Sequence, residues 1–304
     1  MTVLLAVLKL YLRHFVRRRL EQYETPEQMR RALGKSAQLL PEPPSDARFE
    51  PETIALGDRD LAMVWCRWGD APTARVVLYF HGGAYIAGSP ATHRSISWTL
   101  ARAAEARIAS VDYRLAPEHA FPAAVEDALV AYDHLVGSGI APGSIVLAGD
   151  SAGGGLAFAL AGEIDRTGRP RPAGILGFSP FTDLTLSGES LRINAQREIL
   201  LPVWRVREAV EQYLQGADPR DPRASPIFAD YAGPWRALIQ VGDTEALLDD
   251  SVRMTARLRA AGGDAQLDIW EGTPHVWQFF APHIHEARQA IQAAGAFIRD
   301  VAAP

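Results

Sequence analysis

The feature that most constrains this chain is an alternation of short apolar runs with helical stretches. "RVVLYF", "RIASVDY", "SIVLAG", "AGILGFS", "RALIQVG" and "AQLDIWEG" each end in glycine, aspartate or a turn, as buried strands do. Between and after them lie helical patterns over Ser95–Ala106, Ala123–Val136, Gly154–Thr167, Asp250–Ala261 and His285–Val301. Strands that alternate with helices predict an α/β fold with a mostly parallel sheet covered on both faces. Ahead of them, "FEPETIAL" and "LAMVWCRW" read as an opening antiparallel pair, which brings the expected sheet to eight strands. At 304 residues with 48% hydrophobic side chains the chain can bury a large core, as one domain or two small ones.

Two segments break the rhythm. About fifty residues separate "FSPFTDL" from "WRALIQ", with a helical pattern over Val203–Leu214, and read as an insertion that covers something. The N-terminus, "MTVLLAVLKLYLRHFVRRRLEQ", is too interrupted at Lys9 to span a membrane. Its cations follow the apolar stretch, the wrong order for a secretory signal. Leu5, Leu8, Leu12, Phe15 and Val16 recur at helical spacing and predict an amphipathic helix, laid on the body of the protein or on an anionic lipid surface. A second helical stretch, 25–40, precedes the Pro-rich loop "PEPPSDARFEPE".

Charge and cysteine content narrow the partners. A formal charge of −5 supplies no basic field for nucleic acid, and the single cysteine, Cys66, reads as a small buried hydrophobe. A cytoplasmic location is expected.

In a wound sheet, chemistry gathers at the carboxyl ends of the strands. There "GDSAGGG" follows one strand and opens a helix, the setting a nucleophile elbow requires around Ser151. No lysine stands near the helix start, as a phosphate loop needs, and Gly-x-Gly-x-x-Gly is absent from the turn. A serine nucleophile needs a base, and the base needs an acid. Only His275, His283 and His285 follow Ser151; His275 lies just past the last strand, whereas His283 and His285 read as a solvated helix start. For the acid, "VGDTEALLDD" offers Asp243 and Glu245 beyond the strand end, with Asp249 and Asp250 read as helix N-cap and first turn. The loop "YFHGGAYIAGS" supplies backbone N–H groups for an oxyanion hole, with Gly82, Gly83 and Ala84 as candidates beside Ala152.

Taken in order, "HGGA", "DYRLAPEHAFPAAVEDA", "GDSAGG", "EALLDD" and "PHVW" resemble the hormone-sensitive-lipase family of α/β-hydrolases, the bacterial family IV esterases. The resemblance implies a single domain of α/β-hydrolase fold over 1–304, with Ser151 as nucleophile and His275 as base. It places Glu245 where the family carries its acid. It also implies a serine carboxylesterase acting on short- to medium-chain acyl esters, with lactones and acetyl amides as alternatives. A non-catalytic binding protein on the same fold is the reading from another class. No cofactor and no metal are implied; a small-molecule ester is the partner, and a homodimer is expected. Ala84 stands where the family has a third glycine, which suggests that a non-glycine backbone conformation suffices there. A helical cap is implied over about 1–44 and about 185–216, with Leu4, Leu8, Leu200, Trp204 and Leu214 as possible lining. Asp112, Arg114 and Glu118 are implied to tie the loop beneath the site.

Overall fold

The computed structural model describes residues 2–38, 42–57, 59–70 and 73–303. Eight strands form one sheet: β1 (Ala47–Ala55), β2 (Asp60–Trp68), β3 (Val76–Phe80), β4 (Arg107–Asp112), β5 (Ile145–Asp150), β6 (Gly174–Phe178), β7 (Arg236–Gly242) and β8 (Asp264–Trp270). Their order is β1-β2-β4-β3-β5-β6-β7-β8. β1 and β2 pair antiparallel, β2 lies antiparallel to β4, and the rest of the sheet is parallel.

The strands are apolar throughout because both faces are covered. Along β3, Val76, Leu78 and Phe80 enter one core and Val77 and Tyr79 the other, the two-residue period of a pleated strand. Helices α5 (Ala123–Gly137), α6 (Ala152–Thr167) and α9 (Leu248–Ala260) pack on the first face, while α4 (Arg94–Ala104) and α10 (His285–Val301) pack on the second. The predicted strands and helices all form, within a few residues.

The N-terminal segment forms α1 (Val3–Tyr11), a π-helical turn over Leu12–Val16, α2 (Arg17–Gln22) and α3 (Pro26–Gln38). Leu39, Leu40 and Pro41, in the expected second helical stretch and its following loop, lie outside the described residues, as does Met1. Thr2 donates from its backbone and its hydroxyl to Glu286 at the start of α10, at 2.8 and 2.9 Å, so α1 is anchored beside that helix. Leu5 and Leu12 are buried, and Leu8 and Val16 half-buried, as expected for the inner face. Phe15 is not on it: one turn beyond Tyr11 it faces outward, 62% exposed, and stacks on the Tyr11 ring at 5.6 Å.

The insertion between β6 and β7 contains the short α7 (Ser190–Ile193) and α8 (Val203–Leu214). It is tied to the N-terminal helices by Arg17, which donates to Glu198 O at 2.5 Å, and by Arg205, which donates to Leu20 O and Glu21 O. No helix among the described residues is long and apolar enough to cross a membrane.

Candidate active site

The turn from β5 into α6 fixes Ser151. Its φ of 53° and ψ of −121° put a non-glycine residue in a region of backbone strain, where its side chain stands clear of strand and helix. Three backbone hydrogen bonds hold the turn: Ser151 N donates to Phe178 O at 2.9 Å, and Ser151 O accepts from Gly155 N and Phe181 N. The glycines on either side are forced by space. A Cβ on Gly149 would lie 2.3 Å from Gly153, and one on Gly153 would lie 2.0 Å from Phe80 O. Ser151 Oγ makes no hydrogen bond with any described residue, and it faces a cavity of about 370 Å³ that His275 also lines.

His275 and Glu245 come from the two loops that follow β8 and β7. His275 Nδ1 is 2.7 Å from Glu245 Oε2, and both side chains are buried. With a carboxylate accepting at Nδ1, the proton sits there and Nε2 is left as the basic nitrogen. Glu245 Oε1 accepts from Gly242 N at 2.6 Å and from Ser179 Oγ at 2.8 Å. Burial pulls the His275 imidazole down, but the Glu245 carboxylate, with Glu198 and Asp150 behind it, carries it above the ordinary histidine value.

The rival acids are occupied elsewhere. Asp243 Oδ1 accepts from Gly272 N at 2.7 Å and its other oxygen meets Arg197, so it braces the turn after β8. Asp249 accepts from Ser190 N, and Asp250 accepts from Thr182 N and Asp183 N. Both lie in the first turn of α9, whose N-cap is Leu247 and not Asp249. His283 and His285 are exposed at the start of α10.

The loop after β3 presents its backbone to the same cavity. Gly82 N already donates to Asp150 Oδ1 at 3.0 Å and faces His93 Nε2 at 3.2 Å, so it is spent as an oxyanion donor. Among the described residues nothing accepts from the N–H groups of Gly83, Ala84 or Ala152. Gly83 has φ +124°, and a Cβ there would meet Ala87 O at 2.1 Å. Ala84 has φ +55°, the left-handed region, so the expectation of an ordinary non-glycine conformation at this position is wrong. The alanine occupies a glycine-type conformation and carries its strain.

A buried polar group braces this loop. Asp150 accepts from Tyr79 OH at 2.6 Å as well as from Gly82 N, with His93 3.4 Å away. Although burial opposes ionisation, His93 and the Tyr79 hydroxyl hold the Asp150 carboxyl below its usual range. His81, stacked on Tyr113 at 4.2 Å, is pushed down to about 3, first by burial and then by His93, and is therefore neutral.

The expected loop ties are only partly present. Arg114 binds Asp127 and Glu126 of α5, whereas Glu118 binds Arg30 of α3, outside the loop. The Asp112 side chain is exposed and makes no hydrogen bond with the described residues. Of the five suggested lining residues only Leu200 lines the cavity. Leu4 and Trp204 face outward, 60% and 46% exposed, Leu214 is buried in the core, and Leu8 packs on the α4/α10 side. Tyr11, Leu12, Val16, Leu20 and Leu33 close the cavity instead, with Leu201 and Val206 from the insertion.

Sequence reasoning missed Ser179, Asn194 and Glu198. Ser179 Oγ links Glu245 to the His275 loop, where it accepts from Val276 N at 3.3 Å. Asn194 donates to Glu245 O at 2.9 Å, and Glu198 accepts from Ala246 N at 3.0 Å. Only the adjacency of β6 and β7 and the fold of the insertion bring them to the acid, and no local pattern marks them. Among the described residues no cluster of three or more His, Cys, Asp or Glu side chains has the arrangement of a metal site. Cys66 is buried in β2, its thiol pushed up to about 12 by burial.

This fold, with a serine elbow after β5 and a carboxylate-paired histidine from the loops after β7 and β8, defines an α/β-hydrolase. A family profile described as alpha/beta hydrolase fold matches residues 77–279. An acetyl-hydrolase of Streptomyces hygroscopicus is 44% identical over 225 residues, 74% of this chain and 75% of its own length. An esterase of Acinetobacter venetianus is 34% identical over 88% of this chain and 86% of its own. A crystal structure described as an esterase from the bacterial hormone-sensitive lipase family superposes with TM-score 0.90 at 39% identity, over 96% of this chain and 97% of that one. The chain belongs to the hormone-sensitive-lipase family of α/β-hydrolases, and its enzyme class is that of the carboxylic ester hydrolases.

Proposed function

We propose that the protein is a serine carboxylesterase for short- to medium-chain acyl esters, with Ser151 as nucleophile, His275 as base and Glu245 as acid. The buried Glu245–His275 pair, whose histidine lines the same cavity as Ser151, carries the reading. Ser151 Oγ attacks the ester carbonyl carbon while His275 Nε2 takes its proton. The tetrahedral oxyanion receives the N–H groups of Gly83, Ala84 and Ala152 and the positive end of α6. His275 returns the proton to the departing alcohol. Water then attacks the acyl-Ser151 carbonyl by the same route, releasing acid and serine.

The segments over about 1–44 and 185–216, which among the described residues carry the helices α1, α2, α3, α7 and α8, act as a cap that limits what reaches Ser151. The cavity of about 370 Å³ lies toward the small end of ligand sites, which run from roughly 300 to 1,000 Å³, and its lining is mostly apolar. Both features suit a modest acyl chain. The acetyl-hydrolase name borne by the Streptomyces relative favours the shortest acyl groups and keeps acetyl amides as a second reading.

The test is a panel of p-nitrophenyl esters of rising acyl length, with an N-acetyl anilide beside it, on wild type and Ser151→Ala. The serine variant is expected to lose about 10⁴- to 10⁶-fold in kcat with its fold intact. Equal rates for the two proteins would sink the nucleophile, and a preference for the longest chains would sink the substrate class.

A further inference from the structure

Helix α1 and the π-helical turn that continues it are apolar on two sides. Leu5 and Leu12 are buried against the body, yet Val3, Leu4, Val7, Leu10, Tyr11 and Phe15 are 51 to 81% exposed. Packing on the protein therefore accounts for one face and leaves the other in water, where contiguous apolar area is costly.

Charge says what covers that face. The first twenty residues carry Lys9, Arg13, Arg17, Arg18 and Arg19 and no acid before Glu21, in a chain whose formal charge is −5. Arg13, Arg18 and Arg19 are exposed. A second copy set face to face on α1 would oppose two such cationic rows. An apolar helix face bordered by cations is instead the pattern that settles into an anionic headgroup layer, with apolar side chains in the acyl boundary and cations among the phosphates.

We propose that the outer face of α1 docks the enzyme on anionic phospholipid surfaces. The inner face stays packed, so docking needs no unfolding of the helix. Tyr11 is half-exposed on this face and also lines the cavity that holds Ser151 and His275, so the docked face adjoins the cavity mouth. Lipid-dissolved molecules would then meet the cavity without crossing water. The docking itself does not depend on the esterase reading, because binding is measured without turnover.

The test is co-sedimentation of the full chain with phosphatidylcholine vesicles, with and without phosphatidylglycerol. Binding is expected on the phosphatidylglycerol vesicles, at least about tenfold weaker on pure phosphatidylcholine, and weakened by salt. Replacing the outer face by Val3→Ser, Leu4→Ser, Val7→Ser and Leu10→Ser together is expected to reduce binding at least tenfold while p-nitrophenyl acetate hydrolysis is unchanged. Should that variant fold poorly, Arg13→Gln with Arg18→Gln and Arg19→Gln carries the test through exposed side chains alone, with the same expected loss. No preference for phosphatidylglycerol, or wild-type binding equal to that of a folded variant, overturns the proposal. So does a dimer in sedimentation, without any vesicle binding, that the fourfold Val3→Ser, Leu4→Ser, Val7→Ser, Leu10→Ser replacement turns into monomer, since a second copy would then cover the face.

Discussion

Ser151, Glu245 and His275 stand on loops whose backbone is pinned by hydrogen bonds, whereas the N-terminal helical segment roofs the same cavity mainly with apolar side chains, Tyr11, Leu12, Val16, Leu20, Met29 and Leu33. Glu245 alone is held by Gly242 N, Ser179 Oγ and His275, and its own carbonyl by Asn194. The roof is tied by a few side chains: Thr2 to Glu286, Arg17 to the Glu198 carbonyl, Arg205 to Leu20 and Glu21, and Arg30 of α3 to the carbonyls of Ile86 and Ala116 and to Glu118. Directional bonds fix a geometry that charge transfer requires, while apolar packing tolerates a change of shape at modest cost. Under the proposed function, the floor would serve one reaction and the roof an adjustable set of substrates.

The acid gives the sharpest way to break this comparison. Glu245→Gln is expected to cut kcat/KM by about 10³- to 10⁴-fold, because the imidazole loses its orienting acceptor. Asp243→Asn is expected to stay within roughly tenfold and to lower thermal stability instead, since Asp243 braces Gly272 N. The reverse order would overturn the assignment of the acid.

The roof should answer differently. Leu12→Ala or Leu200→Ala enlarges the cavity and is expected to change the ratio of kcat/KM for octanoate and butyrate esters by roughly tenfold. Acetate ester turnover should stay within roughly threefold of wild type. A uniform loss across all chain lengths would mean that the roof holds the floor in place and not the substrate.

Protonation offers a finer test of the floor. His275 must be neutral to act as base, and its folded value is raised, so kcat/KM is expected to rise with pH through an inflection above the ordinary 6.5. Glu198 is buried beside the pair, and Glu198→Gln removes one of the carboxylates that favour the imidazolium. That inflection should then move to lower pH, which a merely structural loss would not produce. The same raised value implies that His275 protonation stabilises the fold at low pH, and that this contribution is lost as pH rises through the folded value.

The smallest effect concerns Ala84. Ala84→Gly relieves the strain of φ +55° but loosens the unfolded chain, so a net gain on the order of 1 kcal/mol or less is expected in denaturant unfolding. The kcat/KM should change little, because the N–H group is retained.

The strands and helices of the sheet were legible because each segment buries its own apolar pattern, and a two-residue or 3.6-residue period is a local property. The turn that carries Ser151 and the loop that carries His275 were legible for the same reason: a strand end followed by a Gly-rich turn, and a histidine past the last strand, are local signs. Glu245 was separable from Asp243 only through resemblance, because both lie within three residues of the end of β7. Their roles diverge when β8 folds alongside, turning Glu245 to His275 and Asp243 to Gly272. The periodicity of α1 predicted an inner face but gave no sign that the outer one stays bare; Phe15, assigned inward, faces out.

The sequence by itself determined the sheet, the elbow and, through the family motifs, the chemistry class, since these rest on short-range pattern and on residue types in a fixed order along the chain. Only the tertiary structure decided that Gly82 is spent on Asp150, that Ser179, Asn194 and Glu198 brace the acid, and which residues line the cavity. Those contacts join segments far apart in the chain, and a hydrogen bond or a packed surface exists only once both partners have been brought together.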